Sequence, residues 1–267
     1  MGNNLGEAAG TMWGTPSRHY DDISFSVSDA LMHATMRLNP QAGEEILDIA
    51  TGTGFNARSV ARSGAKVTGV DIAEGLLSAG RELADHIEPS IDFVRGDACA
   101  LPFTDARFDR AISTFGIMFA PDQAAAASEL ARVLKARGRA VLACWAPDPA
   151  VGRVFEILSE FSDVPPPDPD APVPMRWGTE KGVKELLSQF FDLRFETGTS
   201  IGYFDDLESM WAFYARTFGP VRQLVESLDE AALAELRSQF MQEHEQFAGS
   251  AGIRIPRPYL LTIGRRL

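Results

Sequence analysis

The sequence predicts an α/β fold in which a mostly parallel sheet is covered by helices on both faces, and three observations carry that expectation. Short apolar runs rich in β-branched residues recur near 45–49, 66–71, 91–95, 108–114 and 139–145, bounded by turn formers. Segments with helix-spaced apolar residues alternate with them, the order that winds a parallel sheet. The first run, Glu45-Ile-Leu-Asp-Ile49, passes through Ala50-Thr51-Gly52-Thr53-Gly54 into a helical pattern from Phe55 to Ser63. That is a strand, a tight turn and a helix.

Gly52 and Gly54 allow positive φ and leave no side chain between the backbone and a ligand. The N–H groups opening the next helix point into the same space. Gly-x-Gly is common in loops, so the turn alone is a weak sign. Two acids strengthen it. Asp48 sits at the carboxyl end of the first strand, and the second strand, Lys66-Val-Thr-Gly-Val-Asp71, ends in another carboxylate 19 residues after Gly52. An acid there is placed to accept from both ribose hydroxyls of an adenosine. Two cofactors fit. Gly52-x-Gly54-x-x-Ala57 satisfies a dinucleotide fingerprint, which implies NAD and a dehydrogenase. An anionic Asp48 would repel a pyrophosphate but attract the sulfonium and ammonium of S-adenosylmethionine, so the second cofactor is favoured.

With 267 residues, 45% of them apolar, the chain is long enough for one large α/β domain. A net charge of −12 argues against a nucleic-acid partner, whose phosphates are held by Lys and Arg. Cys99 and Cys144 make no disulfide framework, and no zinc spacing is present, so no metal is expected. The N-terminus lacks a basic and apolar leader, and no apolar run approaches the ~20 residues of a membrane span. A cytoplasmic protein, monomeric or homodimeric, is the expectation.

Residues 1–42 precede the first strand. Met1 to Pro16 is Gly-rich and expected to be loose; Ile23 to Leu38 is helical, and the segment is expected to fold over the cofactor mouth, bringing Trp13, His19 and Tyr20. A helix over Glu74 to His86 ends before Pro89. The third strand leads into Asp97 and Ala98, placed to accept from an adenine amino group and donate to a ring nitrogen. The fourth, Phe108 to Thr114, runs into Phe115-Gly-Ile-Met-Phe119, where Phe115, Met118 and Phe119 wall the reacting group, with at least one of them expected in the core. A helix opening at Pro121-Asp122 carries Lys135 and Arg137 in its last turn, and Arg139 to Trp145 is the fifth strand.

The runs Leu47-Asp-Ile-Ala-Thr-Gly-Thr-Gly54, Val70-Asp71, Gly96-Asp97-Ala98-x-x-Leu-Pro-Phe103, Phe108-Asp109 and Arg132-Val-Leu-Lys-x-x-Gly138 resemble the successive motifs of class I S-adenosylmethionine-dependent methyltransferases, most closely the group containing the ubiquinone and menaquinone biosynthesis enzymes. The resemblance covers roughly residues 40–146 and implies a Rossmann-like seven-stranded sheet with a helical lid, and S-adenosylmethionine as cofactor. Ala50 stands where many relatives have the first loop glycine, a departure also seen in the quinone-type group. The expected cofactor site comprises Asp48, Ala50, Thr51, Gly52, Gly54, Asp71, Ile72, Asp97, Ala98, Thr114 and Phe115, joined by Tyr20.

The organisation expected is a helical lid over 1–42, a cofactor-binding core over 43–146 and a C-terminal part over 147–267, all within one domain. Residues 146–176 are Pro-rich and expected on the surface around a short helix, Val151 to Phe161. Thr179 to Phe191 reads as a helix and 193–204 and 258–265 as strands, and the resemblance implies that these two pair at one edge of the sheet with the final one antiparallel. Between them lies a helical insertion, with Asp205/Glu208 and Ser227/Glu230 as capping boxes. Its stripe of Met210, Trp211, Tyr214 and Phe218 is either core or, with Trp13, Met118, Phe119 and Trp145, the wall of a small, apolar or aromatic acceptor's site. His19 is the candidate base should the acceptor start protonated. A non-methylating protein that keeps the cofactor is the alternative from another class.

Overall fold

The computed structural model describes residues 2–162 and 173–267. Most of the Pro-rich run from Val164 onward therefore lies outside the described residues. The strands are β1 (Glu45–Ile49), β2 (Lys66–Asp71), β3 (Asp92–Arg95), β4 (Phe108–Thr114), β5 (Leu134–Trp145), β6 (Phe191–Phe204), β7 (Ala248–Gly249) and β8 (Gly252–Arg266). They form one open sheet in the order β3-β2-β1-β4-β5-β8-β6, with β7 paired to β8. β1 to β5 run parallel, and β8 is antiparallel between β5 and β6. The expected pairing of the last two strands is what the sheet contains.

Successive strand residues face opposite sides, and β1 shows it directly. Ile46 packs with Ala57, Val60, Leu77 and Ile112 on one face, Leu47 with Leu130, Val133 and Leu142 on the other. Both side chains are fully buried, worth ~1.5–3 kcal/mol each. The first face is covered by α3 (Ser28–Leu38), α4 (Phe55–Ala61) and α5 (Glu74–Ala84), the second by α6 (Gln123–Val133) and α8 (Glu180–Leu187). A third cluster lies off the sheet's centre. It joins α7 (Pro149–Glu160), α9 (Leu207–Thr217), α10 (Gly219–Ser227) and α11 (Glu230–His244) through Ile157, Met210, Val221, Leu236 and Phe240 to Ile253 and Ile255 of β8.

Four local expectations are corrected. The stretch expected to be loose is helical over its described residues: α1 spans Gly2–Gly14 and is followed by α2 (Tyr20–Ser26). Gly10 faces a neighbour too close for a side chain, since a Cβ there would sit 2.9 Å from the Ile72 carbonyl oxygen. Packing overrides its poor helix propensity. Lys135 and Arg137 belong to β5 rather than to the end of α6, with the Lys135 ammonium donating to Asp109 at 2.8 Å. The caps are Asp206, reciprocal with Ser209, and Asp229, which accepts from the Ala232 N–H at 2.8 Å. Finally, α10 is a helix beyond those expected in the insertion, following directly on α9. Pro220 falls in its first turn, where a missing N–H is no loss, and Gly219 lies against the Met12 carbonyl of α1.

Candidate active site

The strand order reverses between β1 and β4, so the loops leaving their carboxyl ends frame the crevice where open α/β sheets bind ligands. Those loops are held together by Ser113, whose hydroxyl donates to the Ile49 carbonyl at 2.7 Å and accepts from the Ile117 N–H at 3.1 Å. Ala50 and Phe115 begin the two loops and both adopt left-handed backbone, at φ 54° and 58°. Two strained non-glycine residues facing each other across the crevice mark a place where surrounding structure dictates conformation. The φ of Ala50 also explains why a glycine suits that position.

Two cavities open from this point. The first, of about 550 Å³, runs under α1 and is lined by Ala50, Gly52, Asp71, Ile72, Asp97 and Ala98 among others, with Gly6, Ala9 and Trp13 as its roof. Asp71 lines it and is buried. One carboxylate oxygen accepts from the Gly52 N–H at 2.8 Å and the other from the Ala73 N–H at 2.9 Å. Each oxygen keeps acceptor capacity. Burial pushes this carboxyl's pKa up, against the pull of the amides. Gly52, at φ 58°, is required for a second reason: a Cβ there would meet the Tyr20 ring at 3.2 Å. Asp97 accepts from the Cys99 N–H at 2.8 Å.

The second cavity, of about 180 Å³, lies beneath the helical insertion. Its wall is apolar and aromatic: Ile23, Val27, Leu31, Phe55, Trp145, Phe155, Phe218, Phe240, Phe247 and Ile255. Polar atoms enter it from Ser24, Asn56, Thr114, Tyr214, Glu243, His244 and Arg257. Trp13, Tyr20, Ala50, Gly52, Phe115, Gly116 and Phe119 line both cavities. Phe115 stacks on Trp145 at 3.6 Å between centroids, and Trp13 packs against Phe119 at 5.1 Å and Phe218 at 5.8 Å. Burial, with the Asp71 charge beside it, holds the Tyr20 hydroxyl well above its ordinary pKa, so it is a neutral donor.

Of the expected cofactor residues, Tyr20, Ala50, Gly52, Asp71, Ile72, Asp97, Ala98 and Phe115 line the first cavity. Thr51 and Thr114 face the second instead, the Thr114 hydroxyl accepting from the Asn56 amide at 3.2 Å. Gly54 lines neither. Its φ of 77° shapes the turn, and a Cβ there would strike the Phe93 ring. Asp48 is also behind the wall, 2% exposed and accepting from the Thr51 hydroxyl at 2.7 Å. Burial, aided by the nearby Asp71 charge, pushes its carboxyl up to about 7. The anionic Asp48 assumed in weighing the two cofactors is thus not a dependable charge at neutral pH.

Of the expected acceptor wall, Trp13, Phe119, Trp145, Tyr214 and Phe218 line the second cavity. Met118 is fully buried in the sheet core, and Trp211 packs edge-on against Phe240 at 5.5 Å without reaching the cavity. His19 is corrected outright: it is exposed in a single 3-10 turn and lines neither cavity. The histidine in the wall is His244, 4% exposed at the end of α11. Its Nδ1 lies 2.7 Å from the Phe240 carbonyl oxygen, which only accepts, so Nδ1 carries the proton. Burial lowers its pKa, which leaves a neutral ring with Nε2 as an acceptor. His244, Arg257 and Phe155 have no local motif. They come from α11, β8 and α7, and only long-range packing assembles them.

An open sheet in this order, with its crevice at the β1 and β4 ends and acids closing β1 and β2, is the architecture of class I S-adenosylmethionine-dependent methyltransferases, and the chain belongs to that family. Residues 47–142 match the family described as a methyltransferase domain. An uncharacterized protein of Mycobacterium tuberculosis is 30% identical over 228 residues, covering 84% of this chain and 82% of that protein. A demethylmenaquinone methyltransferase of Corynebacterium kroppenstedtii is 38% identical over 125 residues, 47% of this chain and 52% of the enzyme. In fold, the chain is similar to the YcgJ protein of Bacillus subtilis, with a TM-score of 0.62 at 18% identity over 89% of this chain and 98% of the other. It is also similar to a Haemonchus contortus phosphoethanolamine N-methyltransferase solved with S-adenosylhomocysteine, at a TM-score of 0.58 and 18% identity over 89% of this chain and 52% of that one. Among the described residues, no helix is long and apolar enough to cross a membrane.

Proposed function

We propose that the chain transfers a methyl group from S-adenosylmethionine to a small apolar or aromatic acceptor. The observation that carries this reading is the junction of the two cavities: one has an acid and backbone amides suited to an adenosyl group, the other is aromatic, and they share Tyr20, Phe115 and Phe119. The residues fit the cofactor. Asp71 offers free acceptor capacity for ribose hydroxyls, Asp97 and Ala98 border the same cavity for an adenine edge, and Gly52 withholds a Cβ that Tyr20 would meet. When bound, S-adenosylmethionine supplies an electrophilic methyl on a sulfonium, a leaving group that needs no acid.

The chain's own contribution is to align the acceptor and exclude water. The stacked Phe115 and Trp145 give a flat wall, and α1 with Trp13 closes the roof. Such alignment lowers the barrier by several kcal/mol. A protonated acceptor must also lose a proton, and His244 is the group that would take it, at Nε2.

Calorimetric titration with S-adenosylmethionine, S-adenosylhomocysteine and NAD tests the cofactor. The adenosyl compounds are expected to bind wild type and to weaken by ~1–3 kcal/mol in Asp71→Ala, as a charged hydrogen-bond acceptor is lost, with NAD silent. Binding of NAD alone would overturn the reading in favour of hydride transfer. Release of S-adenosylhomocysteine with any acceptor in a screen of phenols, enols and amines would exclude a non-methylating role.

A further inference from the structure

Arg257 is 8% exposed and lines the aromatic cavity, yet among the described residues it has no counterion. It sits on β8 between Pro256 and Pro258, in the stretch running past Tyr259, where the pairing with β5 ends at Trp145. Its guanidinium donates to the Ser26 carbonyl at 2.6 Å, the Ser26 hydroxyl at 3.3 Å and the Ser200 hydroxyl at 3.5 Å, and Tyr214 shares the cavity wall beside it. Every one of these partners is neutral, and its Nε is buried without one. A carboxylate, Asp29, enters the network only by accepting from the Ser200 hydroxyl at 2.7 Å. The other charged residue of the wall, Glu243, has Arg153 at 3.9 Å. Among the described residues, Arg257 has no ion pair.

A guanidinium withdrawn from water and left without an anion is costly, and a ligand that brings the anion removes much of that cost. Arg is also the side chain best shaped to grip a carboxylate or another anionic oxygen. We propose that the acceptor is an apolar or aromatic acid, whose carboxylate or ionised phenol or enol oxygen is held by Arg257 beside Tyr214. The inference rests on the methyl-transfer reading above. Phe155, Phe218 and Phe240 cover the body of such a molecule, and the anchored oxygen fixes its orientation in the cavity.

Calorimetry on the protein loaded with S-adenosylhomocysteine tests this, with 2-naphthoate, 2-naphthol and the neutral 2-naphthalenemethanol as probes. Wild type is expected to bind naphthoate at least about tenfold more tightly than the alcohol, the size of one charge-assisted hydrogen bond. The preference is expected to vanish in Arg257→Gln and to persist, reduced, in Arg257→Lys. Naphthol binding that strengthens as the probe ionises would assign a phenolate source, and naphthoate preference without that change a carboxylate. Unchanged S-adenosylhomocysteine affinity certifies each variant's fold; if Arg257→Gln loses it, the wild-type preference and Arg257→Lys carry the test. Absence of any naphthoate preference in loaded wild type, or a preference undiminished in Arg257→Gln, overturns the proposal. Failure of wild type to bind S-adenosylhomocysteine refutes instead the reading on which it rests.

Discussion

Asp48 and Asp71 close adjacent strands and look alike in the sequence, but their surroundings divide their roles. Asp71 is bonded to backbone amides and faces a cavity; Asp48 is sealed behind the turn with the Thr51 hydroxyl and the Ala57 amide. A carboxyl whose folded pKa is raised from 3.8 to about 7 binds its proton more readily in the native than in the unfolded chain. Its contribution to stability is fully present below the unfolded value and is lost as pH rises through about 7. Asp48→Asn keeps an acceptor for Thr51 and removes the titration. Relative to wild type, its unfolding free energy is expected to improve by up to ~2–4 kcal/mol between about pH 4 and pH 8, read by urea denaturation at each pH. An unchanged difference across that range would contradict the burial argument. His244 offers a second test. Because burial lowers its pKa, the neutral ring persists to below the ordinary histidine range, so the acidic limb of a His244-dependent rate falls below pH 6.5. His244→Gln should lower kcat about 10²–10⁴-fold for an acceptor that must lose a proton and leave S-adenosylhomocysteine binding intact. A loss of cofactor binding alone would make the residue a packing element.

At the scale of elements, α1 shows how composition misleads. Gly-rich sequence reads as loose because glycine costs ~1 kcal/mol per helical position. Here Gly6, Gly10 and Gly14 recur at one-turn spacing and permit backbone contact with Ile72, Ala73 and Gly75, so the glycines are what dock the helix over the cavity. Gly10→Leu places a side chain where the Ile72 carbonyl is 2.9 Å from a Cβ, and S-adenosylhomocysteine affinity should fall about tenfold or more, while the melting temperature moves little. An affinity equal to wild type would show that α1 is not the roof. The β1-turn-α4 unit was legible for the opposite reason, as its period, glycines and acids are all local. The stripe on α9 was legible only as a stripe. Tyr214 faces the cavity, whereas Met210 is fully buried and Trp211 turns to Phe240, a choice made by α11.

For the whole molecule, two apolar clusters share the sheet and the third belongs to the helices over the aromatic cavity. The central strands are therefore expected to exchange amide hydrogens far more slowly than α1, α2, α7 and α9 to α11. S-adenosylhomocysteine should slow exchange chiefly in α1, α2 and the loops after β1, β2 and β4. Uniform protection would mean that the helical cover and the sheet open as one unit.

The periodic alternation of apolar runs marked the strands and their βαβ order, whereas the pairing of the last two strands, the final one antiparallel, came from the resemblance to the methyltransferase fold. The loop acids and glycines that border the first cavity were legible for a local reason too, being near in sequence to the strands that aim them. The acceptor end was not readable in that way. His244, Arg257, Phe155 and Phe240 converge from segments separated by up to about a hundred residues, and each becomes part of a site only when the third cluster packs against β8. Exposure of His19 and burial of Arg257 are likewise properties of the assembled fold, since a side chain's solvent and partners are set by neighbours that its own stretch of sequence does not contain.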